Sequence, residues 1–292
     1  MTFLLHLFTW VSFVSSRGID FPPDSTPRIP KKLFEDAAEF STPVIVPGDE
    51  LATSLLNQLK PIYINKRSPK RIFVGYGVNR TTFFTDPTAE PITIKWIPDD
   101  SDIQRCRDNG LSDGICQNHI TLVEEIRNNQ LLICGTNAGS PLCRFYDISD
   151  GDSGLKIEQS RDKDEISGSD IISSNPNWTL NSLYEANSKH MYVARELGSH
   201  RGELQRFSYG SKRADFLKTP EKAFSEYGPV KFLKILEHGD HIYLFFRERL
   251  RNGTDVSRVA TVCKNDVGGS LNILSNKFTT FVKATLDCPV SS

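Results

Sequence analysis

Two short motifs contain residues that could act in catalysis or bind a metal. Gly-Asp-Ser-Gly at residues 151–154 resembles the nucleophile loop of serine proteases, but the companion histidine and aspartate motifs are absent. His238 and His241 have a spacing that could hold a metal ion, but they flank a predicted hairpin turn and have no third ligand nearby. The sequence also lacks a phosphate-binding loop and an HExxH zinc motif. We therefore expect a protein that binds a partner and is not an enzyme, with no catalytic residue, metal or cofactor.

The cysteines indicate an oxidising compartment. Four of the six fall into two close pairs along the chain, each enclosing a loop of roughly 10 residues. A disulfide that closes such a loop contributes on the order of 2.5–3 kcal/mol. Zinc binding is the weaker interpretation, because no CxxC motif and no suitably spaced histidine accompany the cysteines. The six are Cys106, Cys116, Cys134, Cys143, Cys263 and Cys288.

The N-terminus has the features of a secretory signal peptide at residues 1–16. The apolar run at residues 3–14 is too short to span a bilayer, and small residues follow it at a plausible cleavage point. A buried strand or helix is the alternative. No later segment reaches transmembrane length, so we expect a secreted, extracellular protein without a membrane anchor in this chain.

Three glycosylation sequons agree with export. They predict N-linked glycans at Asn79, Asn177 and Asn252. The net charge of −1 argues against a nucleic-acid binder, which would carry a basic domain.

Short apolar runs alternate with turn residues after a Pro-rich, extended arm at residues 17–43. Four runs are continuously apolar, as expected of strands buried on both faces, and they begin roughly 50–60 residues apart. Gly239 and Asp240 predict a tight hairpin between two strands. A repeat of this length favours β-propeller blades over a pair of β-sandwiches. The four runs are residues 71–75, 130–134, 190–194 and 241–246, and the best helix candidate is residues 51–59.

Several longer motifs resemble the sema domain of semaphorins. CGTNA at residues 134–138, followed by Pro-Leu-Cys at 141–143, is similar to the CGTNAFxPxC segment of that domain. Residues 102–120 resemble its first cysteine loop, and YLFFRER at 243–249 resembles its YFFFRE strand. CKNDVGG at 263–269 and NKFTTFVKA at 276–284 complete the series, which covers about residues 45–292.

This resemblance implies an all-β fold: an incomplete sema-type propeller at residues 44–292, with about four of seven four-stranded blades. It further implies that Cys106 pairs with Cys116 and Cys134 with Cys143. Cys263 and Cys288 normally pair with cysteines in the rest of the domain, so here they are unpaired or pair differently. Arg247 with Glu248, and Asn265 with Asp266, are expected to satisfy buried blade and loop groups rather than to contact a ligand.

The resemblance also implies a function. Semaphorins bind plexin receptors and guide axons and migrating cells, often by repulsion, and a homodimer is a further partner that the family implies. The alternative is a truncated, non-signalling isoform or fragment that is retained in the endoplasmic reticulum or acts as a receptor decoy. The family's receptor contact corresponds to about residues 205–230, where aromatic and basic side chains are typical of an interface. The predicted receptor-binding residues are Phe207, Tyr209, Lys218, Phe224 and Tyr227.

Overall fold

The computed structural model describes most of the chain beyond residue 59. The described residues are 60–64, 70–84, 91–127, 129–151, 154–161, 165–208, 216–270 and 275–287. The predicted signal peptide, the N-terminal arm and the predicted helix at residues 51–59 lie outside them.

In the described ranges, antiparallel strands form four sheets in chain order, and in each sheet four sequential strands form a meander. The strands of the first sheet are β1 Lys60–Ile64, β2 Lys70–Tyr76, β3 Arg80–Phe84 and β4 Ile92–Lys95. The second has β5 Ile120–Arg127, β6 Gln130–Gly135, β7 Leu142–Gly151, β8 Gly154–Gln159 and the short β9 Ile166–Ser167, which pairs with β7. The third has β10 Leu180–Glu185, β11 His190–Glu196, β12 Gly202–Ser208 and β13 Leu217–Lys218. The fourth has β14 Lys231–His238, β15 His241–Arg249, β16 Asp255–Cys263 and β17 Val282–Thr285.

Successive sheets stack face to face, and an apolar cluster fills each interface. The alternation of side chains along β11 shows how one strand serves two interfaces. Met191 and Val193 belong to the cluster shared with the second sheet, whereas Tyr192 and Ala194 belong to the cluster shared with the fourth. Four meanders stacked in chain order are the arrangement of propeller blades, which confirms that prediction over a pair of sandwiches.

The four apolar runs identified in the sequence are the second strands of the four sheets. The prediction of two buried faces is confirmed for β6 and β11, where nearly every residue is buried. It is wrong for β15, because burial there alternates. Leu244 and Phe246 are buried against the third sheet, while Tyr243 and Phe245 on the opposite face are partly exposed. The hairpin at Gly239 is confirmed, with His238 and His241 paired across it.

A helix between the first two sheets, α1 Asp100–Asp108, was not predicted. Its sequence is mostly polar, and Cys106 is its one buried residue. Acidic residues in its first turn and basic residues in its last turn complement the helix dipole. The Cys106–Cys116 disulfide, with 5.6 Å between the Cα atoms, ties the helix to the segment that leads into β5.

Asn118 links the first sheet to the second. Its side-chain Nδ2 donates to the Trp96 carbonyl (3.1 Å), and its Oδ1 accepts from the Asn137 backbone N–H (3.0 Å). Its backbone exchanges two further hydrogen bonds with Asn79, which precedes β3. A side chain at Gly135 would overlap the Asn118 amide, so glycine is required there. One fully buried amide therefore joins three loop segments.

We predict that Asn118→Ala lowers the free energy of unfolding by about 3 kcal/mol, because it leaves the Trp96 carbonyl and the Asn137 N–H buried without partners. Urea unfolding of the purified protein measures this. Asn265→Ala, at an exposed asparagine, is the control and should change the value by less than about 0.5 kcal/mol. Equal unfolding midpoints for the two variants would contradict the linking role of Asn118.

Candidate functional site

The segment at residues 219–230, between β13 and β14, presents exposed side chains on buried anchors. We call it the Tyr227 loop. Phe224 is only 5% exposed, and its ring contacts those of Phe232, Phe246 and Phe281 edge-on, with centroids 5.1–5.7 Å apart. Three residues later, Tyr227 is 54% exposed. The loop is therefore pinned to the core between the third and fourth sheets while it displays an aromatic ring to solvent.

A buried carboxylate, that of Glu248 at the end of β15, holds the loop from behind. Its side chain is 1% exposed and accepts a hydrogen bond from the Ser225 backbone N–H (2.7 Å). Arg258 (2.5 Å) and Lys283 (2.8 Å), on the next two strands, balance its charge. Burial of a carboxylate is costly unless such partners compensate it, and here they also fix the position of the loop.

Contacts on either side of Ser225 complete the support of the loop. The Ser225 hydroxyl donates to the Arg249 carbonyl, and the Tyr227 N–H donates to that hydroxyl oxygen (3.2 Å). Gly228 packs so closely on Arg249 that an added Cβ would lie 2.8 Å from the arginine Cβ. Arg249 is itself held by Asp255 through two hydrogen bonds of 2.8 and 3.0 Å.

The far end of the loop is fixed to the third sheet. The Thr179 hydroxyl oxygen accepts from the Phe232 N–H (3.2 Å), and the hydroxyl donates to Glu196 (3.0 Å). Glu196 in turn forms an ion pair with Lys231 (2.9 Å) at the start of β14. The middle of the Tyr227 loop and its junction with β14 thus rest on hydrogen-bonded partners.

Such an arrangement is suited to binding a protein. An exposed tyrosine on an already ordered loop offers a large, amphipathic contact at a small entropic cost. Within the described ranges, no group of three or more His, Cys, Asp and Glu side chains could hold a metal ion. In the same part of the chain, no helix combines the length and apolar character needed to cross a bilayer.

The five residues predicted to contact a receptor differ in their surroundings. Tyr227 is exposed, and Lys218, in β13, is partly exposed with Glu203 3.6 Å away. Phe224 is a core residue, so its prediction as a contact is wrong: its ring fills the space between two sheets. Phe207 packs partly buried on the core between the second and third sheets, and Tyr209 lies outside the described residues.

Asp266 is a second buried carboxylate, at the opposite end of the fourth sheet. Its oxygens accept from the backbone N–H and the hydroxyl of both Thr279 and Thr280, and from the Gly268 N–H. Burial raises the pKa of the Asp266 carboxyl, but hydrogen bonds from Thr280, Gly268 and Thr279 outweigh it and hold that pKa below its usual range. The carboxylate joins the turn after β16 to the segment before β17.

In each of the pairs Arg247-Glu248 and Asn265-Asp266, only one residue has the expected structural role. Glu248 and Asp266 satisfy buried groups, as the resemblance implied, whereas the neighbouring Arg247 and Asn265 are exposed. Sequence reasoning missed Ser225 and Gly228, which lock the Tyr227 loop onto β15. The one available signal was a small residue on each side of the exposed Glu226-Tyr227 pair, which is typical of a tight turn.

The described residues contain two disulfides, and they are the pairs that the resemblance implied. Cys106 bonds to Cys116, and Cys134 bonds to Cys143 directly across β6 and β7. Cys263, at the end of β16, is partly exposed and has no disulfide with any described cysteine. Cys288 lies outside the described residues.

The three sequons lie in different surroundings. Asn177 and Asn252 are exposed, whereas Asn79 is partly buried. The Asn79 Oδ1 accepts from the Asn118 N–H (2.8 Å), and its Nδ2 donates to the Gln117 side chain (2.7 Å).

The curated proteins that are similar to this chain are semaphorins. No family model matches the chain. Human Semaphorin-6B is 30% identical over 233 residues, which cover 73% of this chain and 25% of the relative. Semaphorin-1A of Schistocerca americana is 29% identical over 202 residues, or 68% of this chain and 26% of the relative. The chain thus spans about a quarter of the length of these relatives.

Solved structures give the same result for the fold. Drosophila Semaphorin 2a superposes with a TM-score of 0.65 at 22% identity, over 80% of this chain and 40% of the solved chain. A structure of Drosophila Plexin A in complex with Semaphorin 1b gives 0.61 at 21% identity, over 80% and 43%. The four sheets are therefore consecutive blades of a sema-type propeller.

We predict that Glu248→Ala loosens the Tyr227 loop and lowers the free energy of unfolding by about 2–3 kcal/mol, because Arg258, Lys283 and the Ser225 N–H lose their shared acceptor. Hydrogen–deuterium exchange should become faster in residues 219–230. Glu237→Ala, which removes only the outlying ion pair with Lys264, is the control and should leave that exchange unchanged. Unaltered exchange in Glu248→Ala would refute the supporting role of Glu248.

We predict that Asp266→Asn destabilises the protein by about 2–3 kcal/mol at pH 7, because at least two of the five donors then face an amide NH2 group. The folded pKa lies below the ordinary value of 3.8, so the stabilisation by the carboxylate is complete above pH 3.8 and is lost as the pH falls further. The wild-type and variant stabilities should therefore converge below that pH. Urea unfolding between pH 7 and pH 3 measures this, with Asp170→Asn, at an exposed aspartate, as the control. A constant difference across this range would be evidence against it.

Proposed function

Because this chain belongs to the semaphorin family, we propose that it is a secreted ligand that binds the ectodomain of a plexin receptor and guides growing axons and migrating cells, often by repulsion. The Tyr227 loop is the observation that supports this most directly. A relative that shares the fold forms a complex with Plexin A, which supports a plexin as the receptor class.

The proposed role is binding and not catalysis. Tyrosine is enriched at interface hot spots, and Tyr227 is exposed on a loop that the buried Glu248 carboxylate supports. The charged neighbours Glu221, Lys222 and Glu226 are exposed around it and would form the polar rim of such an interface. A homodimer would add a second copy of the chain as a further partner.

A second candidate is a ligand that occupies the receptor without signalling, or that is retained in the endoplasmic reticulum. The partly exposed thiol of Cys263 favours it, because exposed thiols engage retention and exchange reactions in an oxidising compartment. Exposed apolar side chains on the outward face of the fourth sheet also favour this second candidate. They are Leu233, Leu236 and Val282. A cell-collapse assay with purified protein separates the candidates: a signalling ligand causes collapse of plexin-bearing cells, and a decoy blocks collapse by an active semaphorin.

We predict that Tyr227→Ala weakens binding to a plexin ectodomain at least about tenfold, because it removes the aromatic anchor of the loop. Surface plasmon resonance against a panel of plexin ectodomains measures this. Val267→Ala is the matched control, since Val267 is 89% exposed and lies at the opposite end of the fourth sheet.

The outcomes are distinct. Tight binding of the wild type and of Val267→Ala, with loss in Tyr227→Ala, supports the proposal. Absence of wild-type binding to every plexin tested would overturn the function. Equal binding by all three proteins would support a plexin as the receptor but contradict the Tyr227 loop as the contact surface.

A further inference from the structure

The exposed sequon at Asn252 lies beside the Tyr227 loop. Asn252 is in the turn that connects β15 to β16, where residues 251–255 are all exposed. Its Oδ1 accepts from the Thr254 N–H (3.1 Å), a contact that does not involve its Nδ2. Arg249, three residues before Asn252, is the residue on which Gly228 packs. A group attached to Asn252 would therefore border the loop.

The exposed sequon at Asn177 lies on the other side of the same loop. Thr179, the third residue of this sequon, binds the Phe232 N–H where the loop joins β14. Asn177 is exposed, and its backbone N–H, not its side-chain amide, donates to the Asn175 Oδ1 (2.9 Å). The two exposed acceptors thus flank the Tyr227 loop at one end of the sheets.

The third sequon, at Asn79, is partly buried, unlike the two exposed sequons. The Asn79 Nδ2 donates to Gln117, and the hydroxyl-bearing residue of the sequon, Thr81, is 1% exposed. An oligosaccharide on Asn79 would have to occupy the packed junction between the first and second sheets. Attachment at the Asn79 Nδ2 would compete with its hydrogen bond to the Gln117 side chain (2.7 Å) in this junction.

We propose that Asn177 and Asn252, and not Asn79, carry N-linked oligosaccharides, and that these two glycans restrict the approach of the receptor to the Tyr227 loop. The restriction rests on the proposed function, whereas the pattern of glycan occupancy does not. A glycan is bulky and strongly hydrated, so a pair of them narrows the range of orientations from which a protein can reach the tyrosine.

The modification is a transfer from a lipid-pyrophosphate-linked oligosaccharide. The Asn Nδ2 forms a bond to C1 of the reducing-end sugar, and the bond from C1 to the pyrophosphate oxygen breaks. The lipid pyrophosphate leaves with the bonding electron pair, and the amide gives up one proton. The hydroxyl of the third sequon residue, Thr179 or Thr254, takes part in recognition of the acceptor.

Occupancy is measured by glycopeptide mass spectrometry of the protein secreted from animal cells. We expect glycans at Asn177 and Asn252 and an unmodified Asn79. A glycan at Asn79, or its absence at either exposed site, would overturn the assignment. Thr254→Ala should remove the Asn252 glycan, and Thr254→Ser, the matched control, should retain it.

The restriction is measured by binding to a plexin ectodomain before and after endoglycosidase treatment of the folded protein, which avoids any folding defect of a variant. We expect removal of the glycans to raise the association rate constant about threefold or more. The double variant Asn177→Gln with Asn252→Gln should reproduce this gain, and each single variant should give part of it.

A glycan placed elsewhere provides the matched control. Val267→Thr makes the exposed Asn265 a glycan acceptor at the end of the fourth sheet that is opposite the Tyr227 loop. The two ends are separated by the nine-residue strand β15, which is about 27 Å long. Its added glycan should leave the association rate unchanged. Equal rates with and without the native glycans would overturn the restriction, while absence of any binding, glycosylated or not, would overturn the proposed function and the restriction with it. Whichever binding result is obtained, glycopeptide mass spectrometry decides whether Asn177 and Asn252, and not Asn79, carry glycans.

Discussion

Face-to-face stacking of the four sheets is the constraint on which the rest of the structure depends. A sheet between two others must bury both faces, so its central strands need apolar residues at every position and not at alternate ones. β6 and β11 meet this requirement, and β15, at the end of the described stack, returns to alternation. The stack leaves only the ends and outer edges of the sheets available for polar connections and for partners.

Those ends are organised by a few buried polar side chains. Asn118, Glu248 and Asp266 each gather hydrogen-bond donors or acceptors from at least two separate segments. A buried amide or carboxylate is unfavourable unless nearly all of its partners are in place, so each of these residues favours one arrangement of the loops around it. Glu248 therefore fixes the position of the loop that displays Tyr227.

Much of the fold could be predicted from local patterns, because the second strand of each sheet is recognisable by its own apolar run. The hairpin at Gly239 was equally local. The candidate site could be predicted only as a region. Phe224 and Tyr227 are both aromatic and three residues apart, and nothing in their own sequence separates the buried ring from the exposed one. The difference comes from β14 and β15, whose Phe232 and Phe246 receive the ring of Phe224.

The same stacking explains why the Tyr227 loop and the two exposed sequons lie together. Where sheets stack, a long connection such as residues 219–230 must emerge at the sheet ends, where the hairpin turn at residues 250–254 also lies. Side chains there can be fully solvated, which suits a sequon and an exposed tyrosine alike. Asn79 shows the limit of that rule, because the turn that carries it is drawn into the junction between two sheets by Asn118. Position at a sheet end is therefore necessary but not sufficient: a side chain is available to a partner only where no buried amide or carboxylate has already engaged it.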